Sequence, residues 1–281
     1  MKFTKLQGMG NDFLVTVVKD VYSTESPNKL AVRMCDRHFG AGADGLVLVS
    51  RGSSSDLDFH SRIFNADGSE AEVSGNGTRC VAAYLYHSGL WPVPEVRICT
   101  AAGIKYGELI SKDGLRYEFE FDMGKPILAS REIPVRIEPP ADRVVSHSLS
   151  VAGQSYEITC TSMGNPHCSI VVPDVTDKAL ARVAPHIESN DLFPKRTNVE
   201  FIHPISSSEI EVRFWERGVG WTNSSGTGSC AAAVSCALLG LTGRTVSIRT
   251  LGGTLSVRWS ADDVVYLTGA AEVIYEGNWL A

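Results

Sequence analysis

Two short motifs of the form Ser-Gly-x-Gly constrain this chain more than any other feature of its sequence. They begin at Ser74 and Ser225, 151 positions apart (225 minus 74) in a chain of 281 residues. Small, helix-forming and apolar residues follow each motif and predict a buried helix, and a strand is predicted before each. Because the separation is close to half the chain length, we interpret the motifs as parts of a diverged internal duplication.

Helix starts of this kind can bind anions. The first turn of a helix leaves backbone N–H groups without partners, and the positive end of the helix dipole lies there. Glycine lets a ligand approach the backbone closely. Either motif alone is most simply an ordinary N-cap, because serine is a favoured capping residue. Two matching copies favour one small-molecule site to which both contribute.

Composition and charge exclude several classes of protein. Hydrophobic residues make up 43% of the chain and charged residues 21%, as in a soluble globular protein. The net charge of -6 argues against nucleic-acid binding. We expect neither a secretory signal nor a membrane span, because the apolar runs that they require are missing. Seven cysteines without a Cys-x-x-Cys pair predict reduced, mostly buried thiols in a cytoplasmic protein, not disulfides or a zinc site.

Short strands dominate the predicted secondary structure. Alternation of apolar and polar residues predicts strands over residues 57–63, 117–121, 210–215 and 254–259. One helix is predicted to begin at Pro27 with Ser26 as its N-cap, and another to cover residues 177–186.

Polar turns lie around the two motifs. Asn11, Asn65 and Asn165 each stand beside glycine, proline or another turn residue, which is typical of plain turn chemistry. Glu216 and Arg217 follow a predicted strand and precede the second motif. They are either a surface salt bridge or a clamp for the carboxylate and ammonium groups of a substrate.

Taken together, these segments resemble the diaminopimelate epimerase family. The matching segments occur in family order and span the chain: residues 8–13 (GMGNDF), 40–45 (GAGADG), 64–70 (FNADGSE), 75–80 (GNGTRC), 100–103 (TAAG), 164–167 (GNPH), Asn198, 216–220 (ERGVG) and 226–228 (GTG). The resemblance implies an α/β (α+β) fold of two similar domains, each a curved sheet wrapped around a central helix. The implied domains are residues 1–124 with 270–281, and residues 125–269.

The resemblance also implies a function and a site. The function is epimerisation of LL- to meso-diaminopimelate, a lysine and peptidoglycan precursor, in a cleft and without pyridoxal phosphate, metal or any other cofactor. The implied partner is a small amino-acid or carboxylic-acid substrate. The resemblance implies no binding to nucleic acid or membranes, and it leaves open whether the chain forms a homodimer. The implied site comprises catalytic positions Ser74 and Ser225 and substrate-binding residues Asn11, Asn65, Gly75, Asn76, Asn165, Asn198, Glu216, Arg217, Gly226 and Thr227.

The chain departs from the family pattern at the reacting positions. The family carries cysteine where this chain has Ser74 and Ser225, and glutamate where it has Trp221. A cysteine at a helix N-terminus can become a thiolate, whereas a serine hydroxyl is far less acidic and needs a neighbouring base. Cys80 and Cys230 are not substitutes, because positions five or six residues along a helix point elsewhere. Candidate bases are His167, Asp67, Glu72 and Glu216.

Three interpretations follow. In the first, which we adopt, the chain is an amino-acid epimerase that still moves an α-proton. In the second it is an isomerase, cyclase or lyase for another small acid, because Trp221 changes what the pocket accepts. In the third it binds an amino acid without turnover. Deliberate replacement of oxidation-prone thiols would also give the two serines, but Trp221 and the altered Asn223 and Ser224 favour natural divergence.

Overall fold

The computed structural model describes residues 1–20, 26–52, 56–71 and 74–280, which divide into two compact units. Unit 1 comprises Met1–Asp122 together with the residues from Thr268 onwards, and unit 2 comprises Met123–Leu267. Glu72, one of the candidate bases, lies outside the described residues.

Unit 1 is built mainly from strands, with two helices between them. Its strands are β1 (Lys2–Gly8), β2 (Asn11–Val17), β3 (Gly45–Arg51), β4 (Phe59–Asn65), β5 (Glu70–Ala71), β6 (Glu95–Thr100), β7 (Gly103–Asp113) and β8 (Arg116–Asp122). Its helices are α1 (Pro27–Cys35) and α2 (Gly75–His87), and a short 3-10 helix covers Val18–Asp20.

Unit 2 repeats this arrangement. Its strands are β9 (Val144–Val151), β10 (Gln154–Ser162), β11 (Pro166–Val171), β12 (Asn198–Ser206), β13 (Glu209–Glu216), β14 (Gly220–Thr222), β15 (Thr245–Thr250), β16 (Gly253–Trp259) and β17 (Val265–Asn278). Its helices are α3 (Leu180–Glu188) and α4 (Gly226–Leu238). Strand β17 starts in unit 2 and runs on into unit 1, where it pairs antiparallel with β1.

The same sheet topology occurs in both units. In unit 1, β2 pairs parallel with β3 and β4 pairs parallel with β6. In unit 2, β11 pairs parallel with β12 and β13 pairs parallel with β15. Thr100 and Thr250 close identical turns after β6 and β15, since each hydroxyl donates to the carbonyl three residues on, at 2.9 and 2.8 Å. Matching topology and matching turns support an internal duplication.

A buried helix lies inside the sheet of each unit. Residues Asn76 to Leu85 of α2 are all buried, and α2 contacts β1, β2, β3, β4 and β8. Residues Gly228 to Cys236 of α4 are buried, and α4 contacts β10, β11, β12, β13, β15 and β16. A helix that is buried all round needs mainly small and apolar residues, which both sequences provide apart from a few polar residues such as Asn76 and Arg79 of α2. The predicted mixed α/β fold is confirmed.

The two other helices cover the outer side of their sheets. Leu30 and Met34 of α1 share a core cluster with Leu46 and Phe64 of the sheet of unit 1. Val183 and Ile187 of α3, together with Phe201 of β12, belong to a cluster in unit 2. Apolar residues three or four apart on each helix form the stripe that this packing requires.

Most of the predicted elements occur within two residues of their predicted bounds. Residues 117–121, 210–215 and 254–259 lie within β8, β13 and β16, whereas the strand predicted over 57–63 is β4 and begins at Phe59. Helix α1 begins at Pro27, but the Ser26 side chain forms no capping hydrogen bond. Helix α3 begins at Leu180, three residues later than predicted, because the Asp177 carboxylate accepts from Ala179 N at 2.8 Å and forms a turn.

The seven cysteines are free, and all but Cys99 are buried, which confirms that most of the thiols lie in the interior. Within the described ranges, no helix has both the length and the apolar composition that a membrane crossing requires.

Candidate functional site

Ser74 and Ser225 occupy equivalent positions at the starts of the two central helices. Each has an extended backbone, with φ of -136° at Ser74 and -134° at Ser225. Ser74 Oγ accepts from Gly77 N at 3.1 Å, and Ser225 Oγ accepts from Gly228 N at 3.3 Å. Each serine is therefore an N-cap, which leaves other backbone N–H groups of the first turn for a ligand.

The second glycine of each motif is required by packing against a strand. A side-chain carbon on Gly77 would lie 2.9 Å from Ile63 Cδ1. A side-chain carbon on Gly228 would lie 2.9 Å from Phe214 Cδ1 and 3.1 Å from Glu200 Oε1. These glycines therefore bring helix and sheet together, while Gly75 and Gly226 are the first helical residues.

In unit 1, two of the predicted binding residues are joined directly. Asn76 Nδ2 donates to Asn11 Oδ1 at 2.7 Å, and Asn11 Nδ2 donates to Asp44 Oδ2 at 3.1 Å. Arg79, which is buried in α2, donates to Asn76 Oδ1. The start of α2 and the turn between β1 and β2 are thus held in a fixed relation. Asn65, in contrast, is exposed at the end of β4, where it donates to Ser69 Oγ at 2.9 Å.

A charged cluster lies beside this asparagine pair. Lys5 Nζ lies 2.9 Å from Asp12 Oδ2, and Arg37 Nη2 lies 2.7 Å from both Asp12 Oδ1 and Asp44 Oδ1. Burial raises the pKa of Asp12, but hydrogen bonds from Arg37 and Lys5 outweigh it and lower that pKa to about 2. Asp12 is therefore ionised at neutral pH.

In unit 2, a buried chain of polar groups reaches the first turn of α4. His167 Nδ1 lies 2.6 Å from Glu200 Oε1, and His167 Nε2 lies 2.9 Å from Asn165 Oδ1. Burial raises the pKa of Glu200, and the interaction with His167 opposes that rise. Glu200 Oε1 also lies against Gly228, three residues after Ser225. The predicted residues Asn165 and His167 are therefore brought together with the start of α4.

Asn198 fixes the turn that carries Glu216 and Arg217. Asn198 Nδ2 donates to Pro166 O at 2.9 Å, and Asn198 Oδ1 accepts from Arg217 N at 2.9 Å. The Arg217 guanidinium donates to Lys195 O at 3.0 Å. In the part of the chain that the structure describes, Glu216 and Arg217 form no ion pair with each other, which disfavours the surface salt bridge.

Two glutamates in this unit were missed by the sequence interpretation. Glu200 is one, and Glu188 is the other. Glu188 accepts from Trp215 Nε1 at 2.7 Å and from Gly218 N at 3.0 Å. It therefore fixes the turn after β13, to which Asn198 is also hydrogen-bonded. The available signal for Glu200 was a single charge within an apolar run, Val199 to Ile202.

The candidate bases differ in their surroundings. Asp67 is exposed and accepts from Ser69 N at 2.8 Å and Ser69 Oγ at 2.6 Å, and these bonds lower its pKa. It is therefore a weak base within a turn. Glu216 is half-buried at the end of β13, opposite Gly220. Among the described residues, no carboxylate or imidazole is hydrogen-bonded to the hydroxyl of Ser74 or Ser225.

Thr227, Cys80 and Trp221 differ in their exposure to solvent. Thr227 is half-buried in the first turn of α4. Burial raises the pKa of the Cys80 thiol to about 12, which keeps it inert. Trp221 is 42% exposed, and its ring lies 5.5 Å from that of Trp215 and 6.0 Å from that of Phe201. In the described ranges, no group of three or more His, Cys, Asp or Glu residues is placed to hold a metal ion.

Comparison with known proteins identifies the family. The family model for diaminopimelate epimerase matches residues 3–129 and 159–274. A diaminopimelate epimerase from Pelotomaculum thermopropionicum is 46% identical over 280 residues, covering 99% of each chain. One from Desulfovibrio desulfuricans is 43% identical over 284 residues, covering 99% of this chain and 98% of its own.

The chain belongs to the diaminopimelate epimerase family. It is therefore an isomerase of the epimerase type, and this supports the first interpretation over the two alternatives. A solved structure described as a predicted epimerase from Pseudomonas aeruginosa superposes with a TM-score of 0.71 and covers 100% of this chain and 99% of its own. At 16% sequence identity, that likeness supports the fold.

Proposed function

We propose that this protein epimerises diaminopimelate without a cofactor, converting the LL to the meso form by moving one α-proton. The observation that supports this most directly is the duplicated helix start, in which Ser74 and Ser225 have the same cap geometry at the positions of the family's cysteines. We assign these two residues to the two proton-transfer positions.

The remaining residues of the proposed site bind the substrate. Backbone N–H groups in the first turns of α2 and α4 bind the carboxylate next to the reacting carbon, because they carry the positive ends of the helix dipoles. Asn11 and Asn76 line the proposed site at the start of α2, and Asn165 and Asn198 line it near the start of α4. Glu216 and Arg217 take the substrate's distal ammonium and carboxylate groups.

Two proton transfers make up the proposed reaction. One group removes the proton from the α-carbon, and the electron pair of the broken C–H bond stays on that carbon. N–H groups that bind the neighbouring carboxylate stabilise the negative charge. A second group then donates a proton to the opposite face, so the configuration inverts and atoms and charge balance.

Serine makes these transfers slow. A hydroxyl must itself lose a proton to act as the base, and it gives a proton up less readily than a thiol. Both ring nitrogens of His167 are hydrogen-bonded, and Asp67 accepts two hydrogen bonds within a turn, so Glu216, half-buried at the end of β13, is the described candidate base that we assign to assist. We therefore expect turnover well below that of a thiol pair.

Exchange of the α-hydrogen in heavy water tests the proposal. We expect slow incorporation of deuterium into diaminopimelate, and incorporation at least roughly a hundredfold faster in Ser74→Cys/Ser225→Cys, because a thiol ionises near neutral pH and a hydroxyl does not. Ser74→Ala/Ser225→Ala is the matched control and should show none. Exchange in the cysteine variant alone would mean that this chain binds without turnover, and no exchange in either protein would exclude diaminopimelate as the substrate.

Location and assembly belong to the same proposal. Seven free cysteines suit a reducing compartment, so we place the protein in the cytoplasm. A homodimer stays a prediction, which analytical ultracentrifugation of the purified protein tests directly.

A further inference from the structure

A cavity lies entirely within unit 2, away from Ser225. Its volume is about 530 Å³, which is enough for a small organic molecule. Ala237 and Leu238, at the last turn of α4, form part of its wall. Helix α4 has 13 residues and is therefore about 20 Å long, so the cavity and the Ser225 cap lie at opposite ends of it.

The charge of the cavity lining is opposite to that of the whole chain. Lys125, Arg143 and Arg244 line it together with a single carboxylate, Asp263. The net charge of the protein is -6, so three basic side chains around one cavity mark a local reversal of sign. A concave surface of one charge raises the local concentration of ions of the other charge.

Of the three basic residues, Arg244 is already engaged within the protein. Arg244 donates to Ser260 O at 2.6 Å and to Asp263 Oδ1 at 3.1 Å, and its guanidinium lies 4.0 Å from the centre of the Trp259 ring. Among the described residues, Lys125 and Arg143 form no hydrogen bond or salt bridge. The pKa of Asp262 is lowered mainly by a hydrogen bond from Ser260, and Lys125 also attracts that carboxylate. Asp263 is matched by Arg244, so the exposed Arg143 and the weakly engaged Lys125 remain for a ligand.

Two buried polar atoms on lining residues also lack partners. Trp259 is 7% exposed, and its indole Nε1 is buried without a hydrogen-bond acceptor in the described part of the chain. Thr242 Oγ1 is buried and has no partner there either. A buried donor without an acceptor destabilises the fold, so a ligand that supplies acceptor atoms would remove that penalty.

Unit 1 provides an internal comparison. Trp91 in the loop after α2 and Arg51 at the end of β3 lie close together, and both are satisfied by the protein itself. Trp91 Nε1 donates to Glu95 O at 2.6 Å, and Arg51 donates to Leu90 O at 2.9 Å while its guanidinium lies 4.7 Å from the centre of the Phe59 ring. The indole of Trp91 thus has an acceptor within the protein, whereas that of Trp259 in the cavity of unit 2 has none among the described residues.

We propose that this cavity is a binding site for a small organic molecule that carries a doubly charged oxyanion. Lys125 and Arg143 bind the anion, and Trp259 Nε1 and Thr242 Oγ1 donate to its oxygens, since all four of these groups can donate a hydrogen bond. Leu128, Ala237 and Leu238 contact the apolar part of the molecule. Phosphate esters and compounds with two carboxylates share this chemistry.

Calorimetric titration of the purified protein at low ionic strength tests the site. Inorganic pyrophosphate and citrate serve as the two probes, and glucose as the uncharged control. We expect one saturable site per chain for at least one anion, weakening as salt is added, and the preferred anion distinguishes phosphate from carboxylate recognition. Saturating diaminopimelate should leave the probe bound, which separates this cavity from the proposed active site and makes the result independent of the proposed activity.

Matched variants identify the residues. Lys125→Gln/Arg143→Gln should weaken binding about tenfold or more, because each charge-assisted hydrogen bond contributes more than a neutral one. Thr242→Val keeps the shape and charge of the cavity and should also weaken binding. Arg182→Gln removes an exposed cation of α3 that does not line the cavity and should leave binding unchanged. Absence of binding by both anions, or equal binding by the double variant and the unmodified protein, would overturn the proposal.

Discussion

His167 Nδ1 lies 2.6 Å from Glu200 Oε1, and the two side chains are 0% and 1% exposed. The register of two parallel strands produces this pair, because His167 of β11 lies opposite Asn198 of β12 and Ser169 lies opposite Glu200. Residues two apart on a strand face the same side, so all four side chains share one face of the sheet. Ser169 Oγ also donates to Glu200 Oε2 at 3.3 Å.

Removal of one partner should destabilise unit 2. Glu200→Gln replaces the carboxylate that His167 and Ser169 contact by a neutral amide, and leaving buried polar groups without a proper partner costs roughly 1–3 kcal/mol. Denaturant unfolding, monitored by circular dichroism, measures the change in the free energy of unfolding. Glu209→Gln is the control, since Glu209 pairs with the exposed Arg249 at 2.6 Å and such surface pairs contribute about 1 kcal/mol or less. Equal effects of the two substitutions would contradict the assignment.

Asp12 should make the stability of unit 1 depend on pH in the acid range. Its pKa in the folded protein is about 2, below the ordinary value of 3.8. A carboxylate with a lowered pKa stabilises the fold above its unfolded pKa, and this contribution is lost as pH falls from about 4 through 2. Asp12→Asn should therefore lower the free energy of unfolding by about 2 kcal/mol at pH 7 and change it little near pH 2.

Urea unfolding at pH 7, 4 and 2.5 checks this dependence. Asp142 is exposed, so Asp142→Asn is the control and should change stability by less than about 0.5 kcal/mol at every pH. A constant difference between Asp12→Asn and the unmodified protein across the series would show that the contribution of Asp12 is not electrostatic.

Local chemistry explains what could be predicted about the site from sequence. The starts of α2 and α4 depend on a capping serine, a glycine two residues after the first helical position and an apolar run, all within about ten residues. The helix at Pro27 follows from the same kind of local signal. The alternating strands are equally local, since their pattern only requires one buried face.

Long-range register explains what could not be predicted. Glu200 acquires its role from His167, 33 residues earlier, and Glu188 from Trp215, 27 residues later. A single sequence does not show that these pairs of residues are in contact, because strand pairing depends on the whole sheet. The late start of α3 has another cause, since the Asp177 carboxylate competes with the helix for Ala179 N.

The two capping serines should each contribute measurably to stability, separately from any role in proton transfer. Ser74→Ala and Ser225→Ala remove the acceptors of Gly77 N and Gly228 N, which should cost about 1 kcal/mol each. Ser26→Ala is a matched control, because Ser26 stands at an N-cap position without a side-chain capping bond. Equilibrium unfolding of the three variants should separate the first two from the third, and a loss at Ser26 as large as the others would contradict this account.

Trp221 should decide how well the site accepts a substrate with a distal ammonium group. Its ring packs edge-on against Trp215. The sequence resemblance implies a glutamate at this position in the family, so we expect an apolar surface in place of a negative charge. Trp221→Glu should raise the ratio of kcat/KM for diaminopimelate to that for 2-aminopimelate, which lacks the second amino group, by roughly tenfold, because a carboxylate attracts that ammonium. The deuterium-exchange assay in the Ser74→Cys/Ser225→Cys background gives the rates needed. Trp221→Gln removes the ring without adding charge, so an equal rise in that variant would show that ring size, not charge, sets the preference.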